Sequence, residues 1–227
     1  MHELTFASTA LMICVAAGAY LAGCCNGAII TSFLFYRDDI RRHGSHNAGL
    51  TNFYRVYGKK FAICVILVDM LKAFVAVKLG SAVFDAYLGL RLEGEYFSAL
   101  FCVIGHIFPA FYSFKGGKGI AATAGLILAI HPAFIPMGVI LFFGTFLLTH
   151  YVSLGSLLVY AGFLIEMVIM GQMDLFSMPV GHRAEMYVIA AFLTAMAYWK
   201  HRENIKRLLS GTERKTYLFK KNKEALN

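Results

Sequence analysis

Apolar stretches of near membrane-crossing length alternate with short polar segments along most of the chain. A bilayer's hydrocarbon core asks for about 20 apolar residues per helix. Seven stretches approach or exceed that length, at 6–36, 61–80, 96–113, 119–131, 133–149, 154–172 and 184–200. The fourth and fifth are short, and only His131-Pro132 separates them. Proline ends a helix or kinks it at the preceding residue, so two helices are expected here and not one. Short spans of this kind tilt or lean on their neighbours. The pattern predicts an all-α polytopic membrane bundle of seven transmembrane helices in a single domain over residues 1–227.

Composition agrees with that reading. Hydrophobic residues make up 59% of the 227, charged residues 15%, and the mean hydropathy is +0.64, too apolar for an ordinary soluble domain. The net charge of +8 does not point to nucleic acid, because the basic residues flank apolar spans and form no patch with interleaved aromatics. Their distribution predicts an orientation. Six lie between Arg37 and Lys60, two are Lys115 and Lys118, and nine run from Lys200 to Lys223. The opposite side holds only Lys78, Arg91 and Arg183. With that bias the N-terminus is expected outside and the C-terminus in the cytoplasm. Met1-His2-Glu3-Leu4 lacks a basic signal-peptide n-region, so the first apolar run is expected to stay as a span. Cys14, Cys24, Cys25, Cys64 and Cys102 all fall in apolar stretches without zinc-site spacing, and no metal or cofactor is expected.

Four polar segments fall on the expected cytoplasmic side. The first, residues 41–60, gathers Ser45, Asn47, Thr51, Asn52 and Arg55 between Gly44, Gly49 and Gly58. A merely positive-inside loop would need the arginines but not the amides. In the second, Phe114-Lys115-Gly116-Gly117-Lys118-Gly119, three glycines in four positions can turn backbone N–H groups into one concavity beside two cations. That suits an anion such as phosphate, although a tight turn with lysines snorkelling to water fits the same residues. It is no Walker A loop, since Tyr112 and Gly119 stand where Gly and Ser or Thr are required.

The third segment places His150 three residues before Ser153, with no carboxylate nearby in sequence to orient a catalytic histidine. Ser153 reads better as a hydrogen-bond donor or helix N-cap than as a nucleophile. In the fourth, His201, Asn204 and Leu208 share a helical face at the start of the basic tail. Within the spans, Asp69 and Lys72 are three apart and read as a lock between helices. His106, one to two turns before the glycine–lysine loop, could orient that loop or simply be satisfied inside the bundle.

Taken together these residues resemble a known family. Gly44-Ser45-x-Asn47-x-Gly49-x-Thr51-Asn52-x-x-Arg55, Gly105-His106 with Phe114 to Gly119, His150-x-x-Ser153-Leu154-Gly155-Ser156, and His201-Arg202-x-Asn204-Ile205-x-Arg207-Leu208 with Gly211-Thr212-Glu213 are similar to the motifs of the bacterial integral-membrane acyl-phosphate:glycerol-3-phosphate acyltransferases, the PlsY family. The resemblance implies acyl transfer from acyl phosphate to the 1-hydroxyl of glycerol 3-phosphate, releasing inorganic phosphate, at the cytoplasmic face of a bacterial inner membrane. It implies catalytic roles for Ser45, Arg55, Lys115, Lys118, Ser153, His201 and Asn204. Substrate or phosphate binding falls to Asn47, Thr51, Asn52, Gly116, Gly117, Gly119 and His150. Direct attack is expected, with His201 or a substrate phosphate oxygen taking the hydroxyl proton and Lys115, Lys118 and Arg55 neutralising the departing phosphate.

Two departures from the family pattern stand out. His46 occupies a position where the family usually has Gly, and Gly23-Cys24-Cys25-Asn26-Gly27 stands where a Gly-Ser-Ile-Pro-like turn is typical. The rival reading is a transporter or channel for a small phosphate-bearing solute, but such proteins tend to bind at the midplane between paired halves, and no repeat is visible here. If Lys118 carries phosphate chemistry, Lys118→Met removes most acyl-transfer turnover while the protein keeps its thermal midpoint; near-normal turnover refutes the assignment.

Overall fold

A computed structural model of the chain describes residues 5–176 and 179–217. The N-terminal Met1 to Leu4 and the tail lysines Lys220, Lys221 and Lys223, used above to predict orientation, lie outside the described residues. Helices are the regular structure throughout, and no strand occurs among the described residues.

The predicted first span, 6–36, is two helices: α1, Phe6–Cys24, and α2, Gly27–Tyr36. The break at Cys25-Asn26 has a local cause. Asn26 is extended, and its side-chain oxygen accepts from the Ile29 N–H at 3.0 Å, capping α2 in the middle of the apolar run. A short amphipathic helix, α3 (Leu50–Tyr57), follows the first polar segment. The long α4 (Ala62–Leu88) and α5 (Arg91–Ile107) form a hairpin turned at Gly89, whose φ of 68° suits glycine.

The stretches on either side of His131-Pro132 are separate helices. After α6 (Ile120–Ile130), His131 is extended, as a residue before proline prefers. The next rod runs from α7 (Phe134–Val139) through a π-helical turn at Ile140–Gly144 into α8 (Thr145–Thr149). Then come α9 (Val152–Gln172), α10 (Val180–Lys200) and the short amphipathic α11 (Arg202–Leu209).

Three of the described helical stretches, Phe6–Cys24, Arg91–Tyr112 and Val152–Gln172, are both long and apolar enough to cross a membrane. Helix α4 lies at the centre, packed on α1, α5 and α6, while α9 and α10 close the far side. The main core joins Val77, Val103, Ile107, Leu126, Phe134, Phe163 and Leu193 from six of these elements. Large apolar side chains such as Leu34, Leu71, Leu79, Leu147 and Ile165 face outward, as expected of a lipid-facing surface.

Small residues let the helices approach closely. A methyl group at Gly105 would lie 2.1 Å from the Tyr20 carbonyl oxygen, and one at Gly23 would lie 2.1 Å from that of Cys102. The α1–α5 contact is therefore backbone on backbone. Antiparallel pairing brings the ends of α2, α5, α8 and α10 and the starts of α4, α6 and α9 to one end of the bundle. Gly105→Val is expected to force α1 and α5 apart and lower stability by roughly 1–3 kcal/mol, read as a reduced thermal midpoint in detergent. Gly18→Ala, where nothing lies within 4 Å, leaves the midpoint unchanged.

Candidate active site

All four predicted polar segments meet at that end around one cavity of about 640 Å³. Its lining includes Ser45, Asn47, Thr51, Asn52 and Arg55 from the first segment, Lys115, Gly116, Lys118 and Gly119 from the second, Ser153 from the third, and His201 and Asn204 from the fourth. Seven lysines and arginines line it against three carboxylates, so the cavity carries a net positive field.

The first segment folds around Asn52, which is buried. Its side-chain oxygen accepts from the Ser45 N–H at 2.8 Å, and its amide donates to the carbonyls of His43 at 3.0 Å and Asn47 at 3.1 Å. Asn52 thus shapes the turn that presents Ser45 and Asn47, with its own hydrogen-bonding capacity committed to backbone. His46 has a left-handed φ of 57°, which accounts for the glycine usual there in the resembling family. Its Nδ1 bonds the Arg41 carbonyl at 3.0 Å and offsets part of the strain. Arg41 in turn donates to the Tyr112 carbonyl at 2.7 Å, tying the first segment to the second.

The glycine–lysine loop differs from the simple anion nest predicted from its sequence. The Gly116 N–H donates to Ile107 O and the Gly117 N–H to His106 O, each at 3.2 Å. These two N–H groups therefore anchor the loop to the end of α5 and do not point at a guest. Gly117 does not line the cavity; it lies against His106. The lysines of this stretch and the start of α6 line the cavity. The first bond of that end runs from Thr123 N–H to Gly119 O at 2.7 Å, so the preceding N–H groups of the helix stay available at the cavity edge.

The lock read from Asp69 and Lys72 is present beneath this loop. The ammonium of Lys72 lies 2.8 Å from Asp69 Oδ1, 2.9 Å from His106 Nδ1, and donates to the carbonyls of Gly23 at 3.0 Å and Cys25 at 2.8 Å. Asp69 also accepts from the Gly27 N–H at 3.0 Å.

The third segment departs from its predicted role. His150 takes a left-handed φ of 62°, its ring lies 4.7 Å from that of Tyr217 at a tilt of 47°, and it does not line the cavity. Its carbonyl accepts from the Thr216 N–H at 3.0 Å, so it holds the tail down. Ser153 is no N-cap, since α9 begins at Val152 after Tyr151; its hydroxyl donates to Glu213 Oε1 at 2.8 Å.

Glu213 is the site residue the sequence reading left without a role. Asn204 Nδ2 donates to its Oε1 at 2.6 Å and Arg207 Nε to its Oε2 at 2.8 Å, so the carboxylate joins the third segment to the tail. Burial pushes its pKa up, but the bonds from Asn204, Ser153 and Arg207 outweigh that and hold it below the usual carboxylate range. Its only sequence signal is a lone carboxylate after Gly211 in a basic tail. Arg55 reaches the same tail, donating to Thr216 Oγ1 at 2.7 Å and to the Arg214 carbonyl at 3.0 Å.

Two groups at the centre are tuned by burial. Lys118 donates to Asn204 Oδ1, and burial pulls its pKa down to about 8. His201 is pushed down to about 4 by burial and then by the nearby Lys118 charge. Its Nδ1 lies 2.8 Å from the Ala197 carbonyl, which can only accept, so the proton is on Nδ1 and Nε2 carries a lone pair. At neutral pH the cavity thus holds a cationic lysine beside an uncharged, accepting imidazole.

A helical membrane bundle with a cationic cavity at one end, holding a neutral histidine and buried hydroxyl and amide groups, defines an integral membrane transferase for anionic substrates. Residues 13–211 match the model of the family described as glycerol-3-phosphate acyltransferase. The chain belongs to that family, and it is an acyltransferase of phospholipid synthesis. A curated glycerol-3-phosphate acyltransferase from Mycoplasmopsis synoviae is 39% identical over 219 residues, spanning 92% of this chain and 96% of that protein. One from Finegoldia magna is 40% identical over 198 residues, spanning 86% and 91%. The crystal structure of PlsY, an integral membrane glycerol 3-phosphate acyltransferase, in its glycerol 3-phosphate form superposes with a TM-score of 0.77 at 30% identity, covering 91% of this chain and 96% of that one. Its lysophosphatidic acid form gives a TM-score of 0.74 at 28% identity. The acyltransferase expectation, and not the transporter, is the one met.

Lys118 is cationic below pH 8 and loses its charge above it, so anion binding to the free enzyme weakens as pH rises through that value. The apparent affinity for a phosphate ligand should fall by up to about tenfold per pH unit on the alkaline side. Lys118→Arg, cationic across this range, should lack that alkaline limb in a titration of phosphate affinity against pH.

Proposed function

We propose that the protein transfers an acyl group from acyl phosphate to the 1-hydroxyl of glycerol 3-phosphate, giving 1-acylglycerol 3-phosphate and inorganic phosphate. The observation that carries this reading is the pairing of a cationic cavity able to hold two phosphate groups with a neutral histidine whose Nε2 is free to accept. Lys115, Lys118 and Arg55 hold and neutralise phosphate; the start of α6 adds its dipole. Ser45, Asn47 and Thr51 orient the substrates, while Asn52 and Gly117 act by shaping the loops.

The reaction is direct attack. The hydroxyl oxygen bonds to the acyl carbonyl carbon, and the bond from that carbon to the phosphate oxygen breaks. His201 Nε2 accepts the hydroxyl's hydrogen bond and aligns it. The proton ends on the departing phosphate, whose expelled oxygen is a stronger base than a ring held near 4. Ser153 serves as a donor. Glu213 is too weak a base to activate it, because three donors stabilise the carboxylate. An acyl phosphate is already an activated donor, so positioning and charge stabilisation suffice.

In this reading seven spans cross a bacterial inner membrane, with α1 and α2 together making the first. The N-terminus is outside and the cavity faces the cytoplasm, as supported by the lysines and arginines gathered at the cavity end. Purified protein given palmitoyl phosphate and glycerol 3-phosphate should release phosphate in step with 1-acylglycerol 3-phosphate, followed by mass spectrometry. Acyl-coenzyme A supporting the same turnover overturns the donor. An acyl adduct on Ser153, found when the second substrate is omitted, overturns direct attack.

A further inference from the structure

One polar edge of the cavity floor has no part in the chemistry above. His106 lies in the last turn of α5 with only 2% of its surface exposed, and it lines the cavity beside Asp69. Lys72 Nζ is 2.9 Å from its Nδ1, nearer than Asp69 Oδ1 at 3.3 Å. An ammonium can only donate, so Nδ1 accepts and the ring proton is on Nε2. Nε2 points at the glycine–lysine loop: a methyl group at Gly117 would lie 2.3 Å from it. Glycine there keeps that nitrogen uncovered. Among the described residues Nε2–H has no hydrogen-bond partner in the protein. It is not one of the fully enclosed unpaired side-chain atoms, so it opens on the cavity that His106 lines and takes its partner from what fills that cavity.

We infer that His106 Nε2–H is a further phosphate-binding donor of this site, bonding an oxygen of a phosphate ester seated over the loop. The inference rests on the phosphate reading of the cavity proposed above. It also accounts for the loop's bonding pattern. With the Gly116 and Gly117 N–H groups tied to Ile107 and His106 carbonyls, the imidazole supplies a donor at the place those amides leave. Asp69 is the one carboxylate facing the same floor, and Lys72 neutralises it, so it does not repel the anion. Lys72 is then a positioning residue. It fixes the ring's tautomer so that the donor is present.

The test uses the full chain in detergent with His106→Gln and His106→Asn. A glutamine amide can place an N–H where Nε2 stood, whereas an asparagine amide reaches only the position of Nδ1. Michaelis constants are measured separately for glycerol 3-phosphate and acyl phosphate, alongside thermal midpoints. His106→Asn should raise one Michaelis constant by roughly ten- to a hundredfold with little change in kcat, and His106→Gln should recover most of it. The substrate whose constant moves is the one on the loop. Unmoved constants with a lowered midpoint in both variants would mean the ring only packs, and would sink the idea. Should neither variant fold, wild-type protein with 15N-labelled histidine is titrated with inorganic phosphate: the Nε2–H signal of the tautomer-locked ring should shift, and an unshifted signal overturns the inference. Calorimetric binding of inorganic phosphate is independent of turnover. A wild type that binds phosphate but forms no product therefore refutes the acyl-transfer reading, while the same calorimetry on His106→Asn still decides this one: weakened phosphate binding supports it and unchanged binding overturns it.

Discussion

The structure depends on how it pairs the backbone groups released where the first apolar run breaks. Inside a bilayer every amide and carbonyl needs a partner in the protein. The turn at Cys25-Asn26 leaves the carbonyls of Gly23 and Cys25 and the N–H of Gly27 without helical partners, and Lys72 and Asp69 supply them. Each ion of this buried pair thereby gains bonds beyond its mate, which offsets its desolvation. Removing only one partner would leave an unpaired buried charge, a loss of about 3–5 kcal/mol. The pair therefore fixes where α1 ends, where α2 begins and how both sit on α4. Through His106 it also reaches α5 and the loop that follows.

From that junction the cavity's geometry follows in steps. Asn26 caps α2 and donates to the Ala48 carbonyl at 3.1 Å, which anchors the first polar segment. The same carbonyl would lie 2.7 Å from a methyl at Gly117, so the first and second segments touch where only glycine fits. The loop is pulled against α5 by two backbone bonds, and its lysines are left on the cavity side. Ser113 and Phe114, both non-glycine with left-handed φ of 54° and 58°, are held just before Lys115. Such conformations cost about 1–2 kcal/mol each and persist where the surroundings over-determine them. Here those surroundings are the Arg41 bond to Tyr112 and the anchored glycines.

Much of this was legible in the chain, and the parts that were not share a cause. Helical spans follow from apolar length, and His131-Pro132 separates α6 from α7 by proline sterics alone. The coming together of four polar segments follows from alternation of spans. Hydrogen-bond direction does not. Nothing in Gly116-Gly117 says whether their N–H groups face a guest or the end of α5. Nothing in His150 says that its ring turns to Tyr217. The break at Asn26 was hidden because an asparagine inside an apolar run reads as a tolerated polar residue unless its capping partner is known. Glu213 was quoted within a motif yet given no role, since a carboxylate in a basic tail looks like surface until three donors converge on it.

That convergence bears on how a site rich in cations stays assembled without substrate. Lys115, Lys118, Arg55, Arg207 and Arg214 share a partly desolvated cavity, and the pKa of Lys118 is lowered first by burial and then by the charges of Arg207, Lys200 and Arg55. Glu213 balances part of this field while binding Ser153, Asn204 and Arg207, and Asn204 in turn receives Lys118. One carboxylate thus links α9, α11 and the glycine–lysine loop. In the proposed reading, phosphate groups entering the cavity supply the remaining negative charge and relieve the repulsion among these cations. Part of the substrate's binding energy is therefore set aside in the empty cavity, as charge held ready at fixed positions and not as residues that must move.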